Sequence, residues 1–247
     1  MAKKEIKKKS KVMKTILIIV AIVIILPMLV LGYLGFVPGV SALFGSSAPK
    51  DLGVKYTAAD FASVQTKMGS DLRVLSPNTA AKDSIKYSGT KRVTTALTSA
   101  ELTAAANSGK WKYHMVQDVQ IKVSPDGTVE MSGKILKDKA SKAATAYGFN
   151  DNDLKKAEDT VGFIPGNPRF YAKGKASVIN NQVHMDIEQL EIGRINAKNL
   201  ITADQASSIL HQGLATVPGL SINSLTFDGG KMNFDGTLPQ TTYRVTD

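Results

Sequence analysis

Residues 119–135 run Val-Gln-Ile-Lys-Val-Ser-Pro-Asp-Gly-Thr-Val-Glu-Met-Ser-Gly-Lys-Ile. Val119, Ile121 and Val123 alternate with polar residues, Pro125-Asp126-Gly127 supplies a turn, and Val129, Met131 and Ile135 alternate back. Period-2 alternation puts apolar side chains on one face of a strand. Two such runs around a short turn make an antiparallel hairpin with one buried face. The pattern recurs twice. Asn180-Asn181 separates a strand near 170–179 from Val183, Met185 and Ile187, and Gly229-Gly230 separates Leu225 and Phe227 from Met232 and Phe234.

Helix starts flank these hairpins. Thr57-Ala-Ala-Asp60, Thr98-Ser-Ala-Glu101 and Thr202-Ala-Asp-Gln205 each place a hydroxyl at an N-cap and an acceptor three residues later. The hydroxyl takes an orphan backbone N–H, and the later side chain reaches back to the N-cap N–H. After the third start, Ala206, Ile209, Leu210, Gly213, Leu214 and Val217 share one helical face. An Ala- and Lys-rich helical stretch is predicted over roughly 138–162, with a break near Gly148-Phe149-Asn150. Helix followed by hairpin occurs at 98–135 and again at 202–238, a loose duplication whose period is too long for a solenoid. Without βαβ alternation, this order predicts an α+β fold with a curved antiparallel sheet and short amphipathic helices.

The 247 residues carry 31 Lys and Arg against 21 Asp and Glu, and no Cys. The missing cysteine excludes a disulfide framework, a cysteine–zinc site and a thiol nucleophile. The 43% apolar fraction excludes wholesale disorder. The net charge of +10 is segregated: residues 1–14 hold seven Lys and one Glu, 15–49 hold no charge, and 50–247 hold 24 basic and 20 acidic residues. The basic character is mostly a tail, and no nucleic-acid partner is expected.

Fourteen of the nineteen residues from Ile16 to Leu34 are Ile, Leu or Val. Their transfer favours bilayer insertion by about 4–8 kcal/mol. The uncharged stretch suffices for a spanning helix, in which Pro27 would introduce a kink. Tyr33 and Phe36 suit the outer interface, and the Lys tail flanks only the other end. The positive-inside rule therefore divides the chain into a cytoplasmic tail (1–14), a transmembrane helix (15–36), a linker rich in small residues (37–50) and an extracytoplasmic domain (51–247). The protein is thus expected in the cell membrane, crossing the lipid bilayer once. A cleaved signal peptide is the competing assignment, with small residues at Val40-Ser41-Ala42 and Ser46-Ser47-Ala48. Its apolar region would be long for that class.

The catalytic inventory is thin. His114, His184 and His211 fall in different elements, and no nucleophile elbow, zinc-binding His-Glu-x-x-His, Walker A loop or dinucleotide fingerprint is present. Asp151-Asn-Asp153 begins like a calcium loop but lacks its glycine and bidentate Glu, and suits a helix N-terminus. No catalytic residue, cofactor or metal is expected. The apolar positions offer more. Phe163-Ile164-Pro165 and Phe170-Tyr171 bracket a Gly-Pro loop, followed by Val183, Met185, Ile187, Leu190 and Ile192. With Leu210 and Leu214 from the third helix they are candidates to line a groove for an acyl chain or another amphiphile. The competing assignment, and the commoner role for such residues, is an ordinary filled core. Two non-enzymatic functions follow: a carrier of a lipid or lipid-linked envelope polymer, or an interaction scaffold that docks another envelope protein.

Thr98-Ser-Ala-Glu-Leu-Thr-Ala-Ala-Ala-Asn107 resembles the Leu-Thr-x-x-x-Leu-x-x-x-x-Asn helix of YpmS-like proteins. Leu190-Glu-Ile-Gly-Arg-Ile195 resembles their Ser-hydrophobic-x-hydrophobic-Gly-Lys-Leu segment, and both then carry a helix, a proline (here Pro218) and a final hairpin (here Leu220–Leu238). The likeness spans roughly 95–240. It departs at Asn196-Ala197-Lys198, where the relatives usually show proline, and in an extra segment at 51–90. The resemblance implies a short, single-pass, outward-facing envelope protein. The predicted fold is also similar to tubular lipid-binding domains, a long helix on a strongly curved sheet.

Overall fold

A computed structural model describes residues 25–34, 37, 39–43, 46–152, 155, 166–198 and 202–246. The Lys tail and most of the candidate membrane span lie outside the described residues. Two short helices, α1 (Leu26–Tyr33) and α2 (Val40–Leu43), precede α3 (Ala58–Met68), β1 (Asp71–Val74), a 3-10 turn (Ala81–Asp83) and β2 (Ile85–Ser88). Then come β3 (Lys91–Thr98), α4 (Ser99–Asn107), β4 (Val116–Val123), β5 (Val129–Ile135) and α5 (Lys137–Ala146). The chain continues through β6 (Arg169–Ile179), β7 (Gln182–Ile192), β8 (Ile195–Asn196) and α6 (Ala203–Ala215). It closes with β9 (Ser221–Asp228), β10 (Lys231–Leu238) and β11 (Thr241–Arg244).

All three hairpins form, β4–β5, β6–β7 and β9–β10. The Asn180-Asn181 turn has both residues in the left-handed region, at φ 48° and 63°, which matches the right-handed twist of its strands. The three Thr-initiated helices all close reciprocal capping boxes, Thr57 with Asp60, Thr98 with Glu101 and Thr202 with Gln205. In the stretch predicted over 138–162, α5 ends at Ala146, just before the expected break.

The fold is α+β, with an antiparallel sheet of eight strands curled into half a barrel. Its branch point is β6. One edge of β6 pairs β7, while the other pairs β5 over 169–174 and then β9 at Val178 and Ile179. The sheet thus divides into a β5–β4 limb and a β9–β10–β3 limb. The limbs touch at their turns, where Gly229 N–H donates to the Pro125 carbonyl at 3.1 Å. A Cβ on Gly127 (φ 82°) would strike the Phe227 carbonyl oxygen, so both the backbone conformation and the close approach require glycine.

Helix α4 seals the outer edge of β4. Ser99 Oγ accepts from Val123 N–H at 2.9 Å, and Thr103 Oγ1 accepts from Ile121 N–H at 3.0 Å. Asn107 takes both backbone groups of Val119, accepting its N–H at 2.9 Å and donating to its carbonyl at 2.7 Å. Four helical residues rise about 6 Å and two strand residues about 6.6 Å, so positions 99, 103 and 107 keep step with 123, 121 and 119. A helix thereby satisfies an edge that would otherwise template another strand.

The core lies on the inner face of the β9–β10–β3 limb, where Val64 of α3 packs with Leu97, Val178, Ile222, Met232 and Phe234. Leu102 of α4 and Leu214 of α6 lie against this cluster. A separate three-stranded sheet, β1–β11–β2, includes a parallel pair joining Asp71–Val74 to Thr241–Arg244. Nearby, buried Trp111 meets Tyr147 edge-on at 5.5 Å and donates its indole N–H to Ser84 Oγ at 3.3 Å.

Candidate functional site

Strand register decides which expected groove residues share a face. Across β6–β7, Val178 lies opposite Val183, Ala176 opposite Met185, Gly174 opposite Ile187, Ala172 opposite Leu190 and Phe170 opposite Ile192. A bulge between Lys173 and Gly174 preserves the side of the apolar set, and a Cβ on Gly174 would strike the Asp186 carbonyl oxygen there. On the other side, Ala172 faces Met131 and Phe170 faces Gly133. Phe170, Val183, Met185, Ile187 and Leu190 therefore share the inner face with Val178 of the core, and Met131 joins them. This half of the inner face is partly exposed, unlike the half beneath α3 and α4.

Helix α6 packs on β7 and forms a wall. Leu214 joins the core beside Val183, whereas Ile209 and Leu210 stay 50% and 48% exposed. Phe163 and Ile164 lie outside the described residues.

Tyr171 does not belong to this face. Alternation turns it to the outer side, where it is buried. Its hydroxyl donates to Glu130 Oε2 at 2.7 Å, and Lys50 Nζ sits 3.7 Å from its ring centroid. Burial, with help from Glu130, pushes the Tyr171 hydroxyl pKa up, against the pull of Lys50. The cover over it starts at the end of the segment expected to be a linker and runs into the first residues of the expected domain. The Lys50 carbonyl accepts from Ser132 Oγ, while Gln120 Oε1 accepts from Leu52 N–H at 2.8 Å and Val54 N–H at 3.3 Å. Arg169 Nη1 reaches the Ala48 carbonyl at 3.4 Å. Residues 48–54 thus form a strap laid along the outer face of β4–β6.

A hollow of about 430 Å³ opens beside the strap, lined by Val54, Lys55, Tyr56, Asn107, Asp118, Val119 and Gln120. None of the expected groove residues lines it, so the candidate site is an open sheet face.

Two of the histidines contact backbone carbonyls. His114 Nε2 lies 2.7 Å from the Ala106 carbonyl and His211 Nδ1 3.1 Å from that of Asn181. Among the described residues no three metal-ligating side chains cluster. Glu101 is buried, and burial alone would raise its pKa. Hydrogen bonds from Lys67 Nζ at 2.6 Å, Ser63 Oγ and the Thr98 N–H overcome that effect and bring it down to about 2. Its carboxylate ties α3 to α4 and stays ionised.

No family model matches the chain, and neither a curated protein nor a solved structure matches it.

The groove assignment missed Met131, whose place was encoded in the same alternation as its neighbours. Finding it required knowing that β5 pairs β6, a contact that no local pattern specifies.

Proposed function

We propose that this is a single-pass envelope protein whose exported domain holds the apolar part of a lipid, or of another amphiphile such as a lipid-linked polymer, on the open half of its inner face. The observation that carries the proposal is the partly exposed apolar floor of Met131, Phe170, Met185, Ile187 and Leu190, on a face whose other half is packed core. A contiguous apolar surface left open to solvent marks an interaction site. The curled sheet with its apolar inner surface supports the similarity to tubular lipid-binding domains expected from the sequence, while the described helices are short.

The membrane anchor has its own support. Ile25, Leu26, Met28, Leu29, Val30 and Leu31 in and beside α1 are 40–56% exposed, so the domain does not cover them. A helix apolar all round needs an apolar environment, and the Lys tail supports a membrane as that environment, with the domain outside. Among the described residues no helix is long and apolar enough to cross a membrane, and α1 covers only the C-terminal part of the candidate span. The YpmS-like resemblance implies the same topology.

A photoreactive residue in place of Met185, activated in intact cells, tests the carrier function. Adducts of lipid mass are expected. Adducts of protein mass alone would sink the carrier and favour a scaffold docking an envelope protein, the alternative supported by exposed Ile209 and Leu210.

A further inference from the structure

We propose that Arg169 and Arg194, gathered beside Tyr33 at the end of α1, bind the phosphate of an anionic phospholipid in the outward-facing leaflet. This rests on the anchor assignment above and adds a headgroup site to it.

Depth comes first. Tyr33 closes an apolar helix, and tyrosines in that position sit at headgroup level. The Arg194 guanidinium carbon lies 4.3 Å from its ring centroid, which puts that cation at the same depth. The helix end is not loose against the domain. Leu34 packs on the cluster of Ile192 and Ala197 beside the β7–β8 turn. Ser46 Oγ donates to the Tyr33 carbonyl at 2.7 Å, fastening the chain just before the strap to the end of α1.

Charge comes second. Arg169 Nε donates to the Gly193 carbonyl at 3.0 Å, and its Nη1 to that of Ala48, so the backbone holds this guanidinium beside the Arg194 turn. Arg169 makes no ion pair with the described residues. Burial pushes its pKa down, and the positive charge of Arg194 adds to that, while Glu191 acts in the opposite direction. The contact of Arg169 with Gly193, the residue before Arg194, keeps two like charges close together at a partly buried site. An anion between them relieves the repulsion, and guanidinium groups match phosphate oxygens in bidentate geometry.

The test uses the full chain in nanodiscs of phosphatidylcholine with a minority of phosphatidylglycerol, and counts retained lipids by native mass spectrometry. The wild type should retain phosphatidylglycerol in preference to phosphatidylcholine. Arg169→Gln and Arg194→Gln should each weaken that preference about fivefold, the size of one surface cation's attraction to an anionic membrane. Arg194→Lys keeps the charge without the planar fork and should fall between, which separates recognition from any loss of fold seen by circular dichroism. The Lys tail meets the opposite face of the disc and is identical in every variant. Unchanged phosphatidylglycerol retention in the folded double Gln variant would overturn the proposal. So would equally strong binding of inorganic phosphate, abolished by the same variant, because the source would then be soluble. Release of the wild type from vesicles by alkaline carbonate would instead remove the anchor itself, whereas stable insertion without lipid preference removes only this site.

Discussion

Phe234 of β10 is 4% exposed, whereas Met131 of β5 is 37% exposed, although both point to the inner face of one sheet. The difference lies in what sits above them. The β9–β10–β3 limb is roofed by α3 and α4, which bring Val64, Met68, Leu102 and Ala105 onto it. The β5–β6–β7 half has α6 along one side, with Leu210 still half-exposed. Equal alternation therefore produces a core in one half and an accessible apolar surface in the other. What distinguishes them is the placement of helices that are remote in sequence.

Phe234→Ala should have the largest effect, about 3–5 kcal/mol of stability lost, as for a large core side chain removed without collapse. Urea unfolding followed by circular dichroism measures it. A loss under about 1 kcal/mol would mean that the two halves are equally loose.

Glu101→Gln should cost about 2–4 kcal/mol by breaking a buried charge-assisted network and leaving Lys67 without its carboxylate. The pH dependence has a definite sign. The folded pKa of about 2 lies below the ordinary 4.5, so the contribution is complete above about 4.5 and is lost as pH falls towards 2. The stability gap between wild type and variant should narrow through that window. A constant gap would show that the roof over the packed half does not depend on this carboxylate.

Asn107→Ala should cost about 1–3 kcal/mol by leaving the N–H and carbonyl of Val119 without their partner. Hydrogen exchange at Val119 should rise more than exchange in β10. Uniform acceleration would mean that the limbs open together.

Met185→Ala should have the smallest effect on stability, about 1 kcal/mol or less, because this half is only partly buried. Its effect should appear instead in ligand capture, as fewer lipid adducts from a photoreactive residue placed at Leu190. Strong destabilisation without loss of adducts would assign Met185 to the core.

Particular elements show why legibility was uneven. The Asn180-Asn181 hairpin could be placed from its residues because turn chemistry and alternation act over a few positions. The capping boxes at Thr57, Thr98 and Thr202 are four-residue devices and are equally clear. Tyr171 was grouped with Phe170 because the two are adjacent and aromatic, yet a strand sends neighbours to opposite faces. Its partner on the outer face is Lys50, over a hundred positions away, in a segment whose small residues suggested only a linker. The parallel β1–β11 pair joins residues 71–74 to 241–244, a separation that leaves no local trace.

The sequence by itself determined the α+β class, the three hairpins and the starts of three helices, because those depend on side-chain alternation, turn residues and contacts within about four positions. It also determined the charge asymmetry around the apolar N-terminal stretch. Only the tertiary structure decided that β6 serves β5 and β9 on one edge, that Ser99, Thr103 and Asn107 seal β4, and that half of the inner face stays open. The duplicated helix–hairpin order makes the point most directly. Helix α4 lies along its own hairpin because its hydroxyls and amide match the β4 edge, whereas α6 packs on β7 of the preceding hairpin. Which strand edge a helix reaches is settled by the competition of distant surfaces for burial, and that competition exists only once the chain has folded.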